Sequence, residues 1–175
     1  MEKKIAVIGG MDHGKTTFIK AVAAVFGAEV KNCSGDDLNI GRTETEIEFK
    51  GKKYLFFDYP AMDDYEENID GTEDAAVWVV DSCEGPMFGS REMLALCIER
   101  GIENYLLFMN KSDLVEDEEI VELCEAETRE VMDEEGLFSD DYPSVSGSAK
   151  KAHWDPESEW GAKIFEAVEI ISEIA

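Results

Sequence analysis

The sequence predicts an α/β protein: a mainly parallel sheet with helices on both faces. Three observations carry this. Short apolar runs alternate with stretches of helical periodicity along the chain, the pattern left by strand–helix–strand units. The first apolar run, Ile5-Ala6-Val7-Ile8, leads through Gly9-Gly10-Met11-Asp12-His13-Gly14-Lys15-Thr16-Thr17 into a helical stretch over 18–26. This is the phosphate-cradling pattern G-x-x-x-x-G-K-[ST] in its strand-to-helix setting. The other polar motifs sit where apolar runs end, where ligands bind in open α/β sheets.

Taken in order, residues 5–8 read as the first strand and 15–26 as the first helix. Residues 28–42 are polar and contain glycine, so they read as a loop. Residues 43–49 alternate polar with β-forming side chains, Gly51-Lys52 turns the chain, and 53–57 return as a buried strand, making a hairpin. The acidic stretch 63–71 looks mobile. Residues 75–80 are a fully apolar strand ending at Asp81. Met93, Leu94, Leu96 and Cys97 mark a helix over 90–100. Residues 105–109 form the next strand. The stretch 116–135 is an amphipathic helix with Ile120, Leu123, Cys124, Val131 and Met132 facing in and acids elsewhere. A short strand at 143–146 runs into Gly147-Ser148-Ala149-Lys150. A closing helix over 158–174 carries Trp160, Ile164, Phe165, Val168 and Ile171. The count is six strands, one of them antiparallel, in a single domain spanning 1–175, with no internal repeat or linker.

Composition narrows the function. The chain has 175 residues, 33% charged and 44% hydrophobic, enough for a folded core. No apolar run spans a bilayer, and the N-terminus enters the first strand without a leader segment, so a cytoplasmic protein is expected, with no membrane partner. Cys33, Cys83, Cys97 and Cys124 are scattered without metal spacing and are expected to be reduced packing residues. The net charge of −25 opposes passive binding to nucleic acid or anionic membrane. A nucleotide must then be held by local geometry and Mg²⁺ against the overall field.

The motifs define a chemistry. Glycines turn backbone N–H groups towards an anion, and the first helical turn adds unpaired N–H groups and a positive dipole end. Lys15 can reach β- and γ-phosphates, and the Thr16 hydroxyl can bind Mg²⁺. Asp58, ending a buried strand, is placed like the acid that holds Mg²⁺ directly or through water. Asn110-Lys111-Ser112-Asp113 offers what guanine needs. The Asp113 carboxylate accepts from N1–H and the N2 amine, a donor pair that adenine lacks. The Lys111 stem can cover the base face, Asn110 can tie loops together, and the Ala149 N–H can donate to O6.

These residues resemble the G domain of elongation factor Tu and its translational GTPase relatives over nearly the whole chain. The resemblance rests on Asp12-His13-Gly14-Lys15-Thr16-Thr17, Asp58-x-Pro60, Asp81-x-x-Glu84-Gly85-Pro86-Met87, Arg91-Glu92, Asn110-Lys111-x-Asp113-Leu114-Val115, Asp117-Glu118-Glu119 and Gly147-Ser148-Ala149. It implies the small G-domain version of the P-loop NTPase fold, a six-stranded mostly parallel sheet. It also implies GTP binding and hydrolysis to GDP with Mg²⁺. The implied nucleotide contacts are Asp12, His13, Gly14, Lys15, Thr16, Thr17, Asn110, Lys111, Asp113, Ser148, Ala149 and Lys150. His13 is expected to be structural in its loop.

Departures from the family pattern separate binding from hydrolysis. Where the family reads Asp-Cys-Pro-Gly-His, this chain has Asp58-Tyr59-Pro60-Ala61-Met62. The catalytic positions are therefore Lys15, Asp58, Ala61 and Met62, with the last two altered. Ala61 keeps the N–H that contacts the γ-phosphate but restricts φ. Met62 replaces the histidine that orients the attacking water, and a thioether neither positions by charge nor transfers a proton. Met62 reads equally as a core methionine. The switch threonine that completes the metal site (Thr16, Asp58) has no ungapped match: Gly41 falls at its place, and Thr43 or Thr45 requires a shifted register. Arg42 is a candidate intrinsic finger. His153 reads as exposed.

A slow or partner-dependent GTPase is thus expected. The alternative is a pseudo-GTPase whose bound nucleotide stabilises a protein-binding surface, and a third is a decoy competing for a translation factor's exchange factor or ribosomal site, the charge weighing against the ribosomal version. The acidic face of 116–135 is a solvated surface or a dock for a regulatory or effector protein with a basic surface. The family's β-barrel domains do not follow Ala175 here, so direct tRNA carriage is not expected.

Overall fold

The computed structural model describes residues 2–32 and 41–175. Cys33 and most of the segment before Gly41 lie outside the described residues. The elements run β1 (Glu2–Ile8), α1 (Lys15–Phe26), β2 (Val30–Asn32), β3 (Thr43–Phe49), β4 (Lys52–Asp58), α2 (Met62–Asn68), β5 (Ala75–Asp81), α3 (Phe88–Glu99), β6 (Tyr105–Asn110), α4 (Glu118–Glu134), β7 (Ser144–Ser146), α5 (Ala149–Trp154) and α6 (Glu159–Ile174). They form one sheet in the order β2-β3-β4-β1-β5-β6-β7. β3 is antiparallel to both of its neighbours, β2 and β4; β4, β1, β5, β6 and β7 are parallel.

The sheet has seven strands rather than six. The extra one, Val30-Lys31-Asn32, pairs antiparallel with Thr43–Thr45 inside the stretch expected to be a loop. It is a solvent-facing edge with a lysine, so it carries no hydrophobic pattern to read. Two helices were also missed. The acidic stretch expected to be mobile is largely α2, pinned by Tyr65, whose hydroxyl donates to Val7 O at 2.7 Å and whose ring packs edge-on against Tyr59. Ser148 opens α5 by accepting from the Lys151 N–H.

The core divides cleanly across the sheet. Ile5, Val7, Val77, Val79, Leu106 and Phe108 face α1, α5 and α6. Ala6, Ile8, Trp78, Val80, Leu107 and Met109 face the layer of α2, α3 and α4. That alternation is the period-two pleat of strands buried on both faces. On α4 the buried stripe is Cys124, Thr128 and Met132, not the wider face expected. Ile120 and Leu123 are 49% and 61% exposed. Thr128 can be buried because its hydroxyl donates to Cys124 O one turn back at 2.7 Å. On α6 Phe165 is 43% exposed, stacked on Phe26 at the surface rather than in the core.

Cys97 and Cys124 are buried free thiols, raised to about 12 and about 11 by burial, and Cys83 is exposed. Among the described residues no helix is long and apolar enough to cross a membrane.

Candidate functional site

All five parallel strands present their C-terminal ends to one edge of the sheet. The glycine loop follows β1, Asp58 ends β4, Asp81 ends β5, Asn110 ends β6, and Gly147-Ser148 follows β7. Their convergence lines a cavity of about 980 Å³. Asp12, Gly14, Lys15, Thr16, Thr17, Asp58, Asn110, Lys111, Asp113, Ser148 and Lys150 all line it.

At the base end, every strand-end loop is tied to another. Asn110 Nδ2 donates to His13 O at 2.8 Å, and Asn110 Oδ1 accepts from the Ala149 N–H at 3.0 Å. One 2% exposed side chain thus joins the glycine loop, β6 and α5. Gly14 allows this approach: its φ is +99°, and a Cβ there would sit 2.2 Å from Asn110 Nδ2. Lys111 Nζ donates to Asp12 O and to Asp81 Oδ2, both at 2.6 Å. Asp81 is nearly buried. Burial alone would raise its carboxyl, but the Lys111 bond and the Cys83 N–H hold it below its usual range. Ser112 Oγ donates to Gly147 O at 2.9 Å, joining the loop after β6 to the loop after β7.

The Ala149 N–H was expected to donate to the base carbonyl. The Ala149 N–H is held by Asn110 and Ala149 is fully buried. Among the described residues, the first-turn donor of α5 without a protein partner is the Lys150 N–H. Asp81 and its hold on Lys111 were missed as a functional element. A lone acid ending a fully apolar strand was the available signal.

At the phosphate end, Lys15 Nζ folds back to donate to Gly9 O and Gly10 O at 3.0 and 3.2 Å. Burial draws its ammonium below the usual range, against the pull of Asp58 and Asp12. Thr16 Oγ1 donates to Asp58 Oδ2 at 2.6 Å. Burial pushes the Asp58 carboxyl above its usual range, opposed by the Thr16 bond and by Lys15. A hydroxyl and a buried carboxylate, both hard oxygen donors, fit Mg²⁺ with the remaining positions left to water and phosphate. Among the described residues no cluster of three His, Cys, Asp or Glu side chains forms an all-protein metal cage.

His13 is fully buried and neither ring nitrogen has a hydrogen-bond partner. Glu84 Oε2 lies 3.7 Å away. Burial lowers its pKa, opposed by Asp81 and Glu84. The ring packs on Gly10, where a Cβ would meet it at 3.0 Å. It does not line the cavity, so the structure does not bring it together with the other residues expected to contact nucleotide.

The switch residues are not brought to the cavity. Thr43 lies in β3 opposite Asp58, and its hydroxyl donates to Asn32 Oδ1 at 3.0 Å. Thr45 is fully buried and donates to Glu29 O. Gly41 has φ +83°, and a Cβ there would meet Pro60 Cγ at 2.8 Å, so a threonine does not fit at that place in this conformation. Arg42, the candidate finger, is engaged by its neighbours. Its guanidinium lies over Phe57 at 4.3 Å, and Nε sits 2.8 Å from Glu44 Oε2 in an ion contact without hydrogen-bond alignment. Ala61 precedes α2 and its N–H donates to Asp64 Oδ2 at 3.2 Å. Met62 packs against the core layer of α2, α3 and α4. His153 is exposed, as expected, with Nδ1 3.3 Å from Lys20 O.

The sequence matches the family described as elongation factor Tu GTP binding domain over residues 2–174. The chain belongs to that family: it is a GTP-binding P-loop G domain of the translational type. Its ligand is therefore a guanine nucleotide.

Proposed function

We propose that this chain is an Mg²⁺-dependent guanine-nucleotide switch with slow hydrolysis of its own. The observation that carries the reading is the pair Ala61-Met62: the Ala61 N–H is bonded to Asp64, and the partly buried Met62 side chain packs against the core layer. Neither a γ-phosphate donor nor a water-orienting group is therefore offered from this segment. The remaining parts favour binding. Asp113 reads the base, Lys111 covers it from a position held by Asp81, and Asn110 keeps the loops assembled. Lys15 releases the Gly9 and Gly10 carbonyls to take up phosphate charge. Thr16 and Asp58 would hold Mg²⁺, which would supply neutralisation of phosphate charge. Catalysis is then positioning and charge stabilisation without an activated water. A regulatory or effector protein with a basic surface, docking on the acidic face of α4, is the partner that the charge supports.

The same observation favours a second reading, a pseudo-GTPase that binds nucleotide without turning it over. Nucleotide affinity with and without Mg²⁺, followed by single-turnover hydrolysis, separates the two. The expected result is tight GDP and GTP binding, strengthened by Mg²⁺, with turnover at or below about 10⁻³ per second. Binding with no turnover, alone or with a cell extract, selects the pseudo-GTPase. Fast turnover by the isolated chain overturns both. Met62→His alone is expected to leave the rate near wild type, because the side chain packs against the core layer and does not line the cavity. Adding Asp64→Ala, which frees the Ala61 N–H, is expected to raise it.

A further inference from the structure

Trp154 is the last residue of α5 and is 78% exposed. Tryptophan is seldom left so open, since its ring offers more apolar area than any other side chain. The other two tryptophans are not free in this way: Trp78 is fully buried in β5 and Trp160 packs partly against the core from α6. Trp154 also lines the nucleotide cavity, together with Lys150 and Lys151 of its own helix and Thr17 of α1. Its backbone is fixed. Ser148 caps the start of α5, the Asp155 N–H closes its end on Lys151 O, and His153 Nδ1 meets Lys20 O of α1 at 3.3 Å. A flat, polarisable ring on a rigid element thus stands in the wall of a cavity whose ligand carries a flat heterocycle and a sugar.

We infer that Trp154 is a nucleoside-contacting residue, covering the bound guanine nucleotide from α5 while Lys111 covers it from the loop after β6. The inference rests on the base-site reading above. Aromatic contact with a base has no directional requirement beyond overlap, so it adds affinity and residence time without changing base choice. Base choice remains with Asp113. The indole N–H, its one donor, stays available to a sugar hydroxyl.

The test uses GDP, calorimetry and tryptophan emission on the full chain. Adding GDP is expected to change the emission of the wild type. Trp154→Phe, which keeps Trp78 and Trp160, is expected to lose most of that change while retaining most of the affinity. Trp154→Ala is expected to weaken GDP about tenfold, mainly through faster release, with guanine preference over adenine intact. Because the side chain is exposed, the alanine variant is expected to fold, and circular dichroism checks it. Unchanged GDP affinity in Trp154→Ala, or an emission change that persists in Trp154→Phe, overturns the inference and leaves the base site standing. Absence of GDP binding by the wild type in calorimetry overturns the base site and this inference together.

Discussion

The base end and the phosphate end of one cavity are built differently. At the base end, Asn110 and Lys111 each bridge two other elements, so their side chains are held by protein contacts. At the phosphate end, the groups that would sense a γ-phosphate are turned to internal tasks: Ala61 to Asp64, Met62 to the core, Thr43 to Asn32, Arg42 to Phe57. Preorganisation lowers the cost of binding, while a switch needs groups free to change partner. The contrast supports the function proposed above, a domain that holds nucleotide more readily than it hydrolyses it.

Three substitutions break or sharpen this contrast. The largest effect is expected from Asp113→Asn, which replaces the acceptor of two base donors. GDP affinity falls about tenfold to a hundredfold and preference over adenine nucleotides is lost, measured by competition calorimetry. Unchanged preference would place base recognition elsewhere. Asn110→Ala comes next. It orphans His13 O and the Ala149 N–H, both buried, and costs about 1–3 kcal/mol of stability without nucleotide present, read from urea midpoints. A negligible cost would mean that the base end is not preassembled.

The smallest effect is the pH response of His13. Burial holds its pKa below the usual value of 6.5, so the unfolded chain takes up a proton that the fold refuses. Stability from this group is complete above about pH 6.5 and is lost as pH falls towards the folded value. Comparing urea midpoints of the wild type and His13→Asn from pH 7.5 down to 5.5 checks the sign. The wild type should lose more. Asp58, raised by burial, contributes with the opposite sign and only near the acid range.

Much of this was legible because the relevant physics is local. The glycine loop between a buried strand and a helix can be read from residue types alone, since phosphate binding uses backbone N–H groups and one lysine. The two-sided burial of β1, β5 and β6 is written in their continuous apolar runs. The base motif was legible because Asn110 to Asp113 are adjacent in sequence and their strand is unmistakable. The edge strand β2 was not, because three solvent-facing residues have no pattern to show. On α4 the apolar residues Ile120 and Leu123 share the helical period with the core stripe, and only docking against the sheet selects which flank is covered.

The sequence by itself determined the phosphate cradle, the base motif and the layered α/β order, since each follows from residue type and short spacing. Tertiary structure decided which of those groups are free. That Asp81 holds Lys111, that Asp64 occupies the Ala61 N–H, that Met62 faces the core and that Trp154 stands in the cavity wall all depend on contacts between elements. Each residue's chemistry is the same in any fold; its partner, and so its availability, is set by packing.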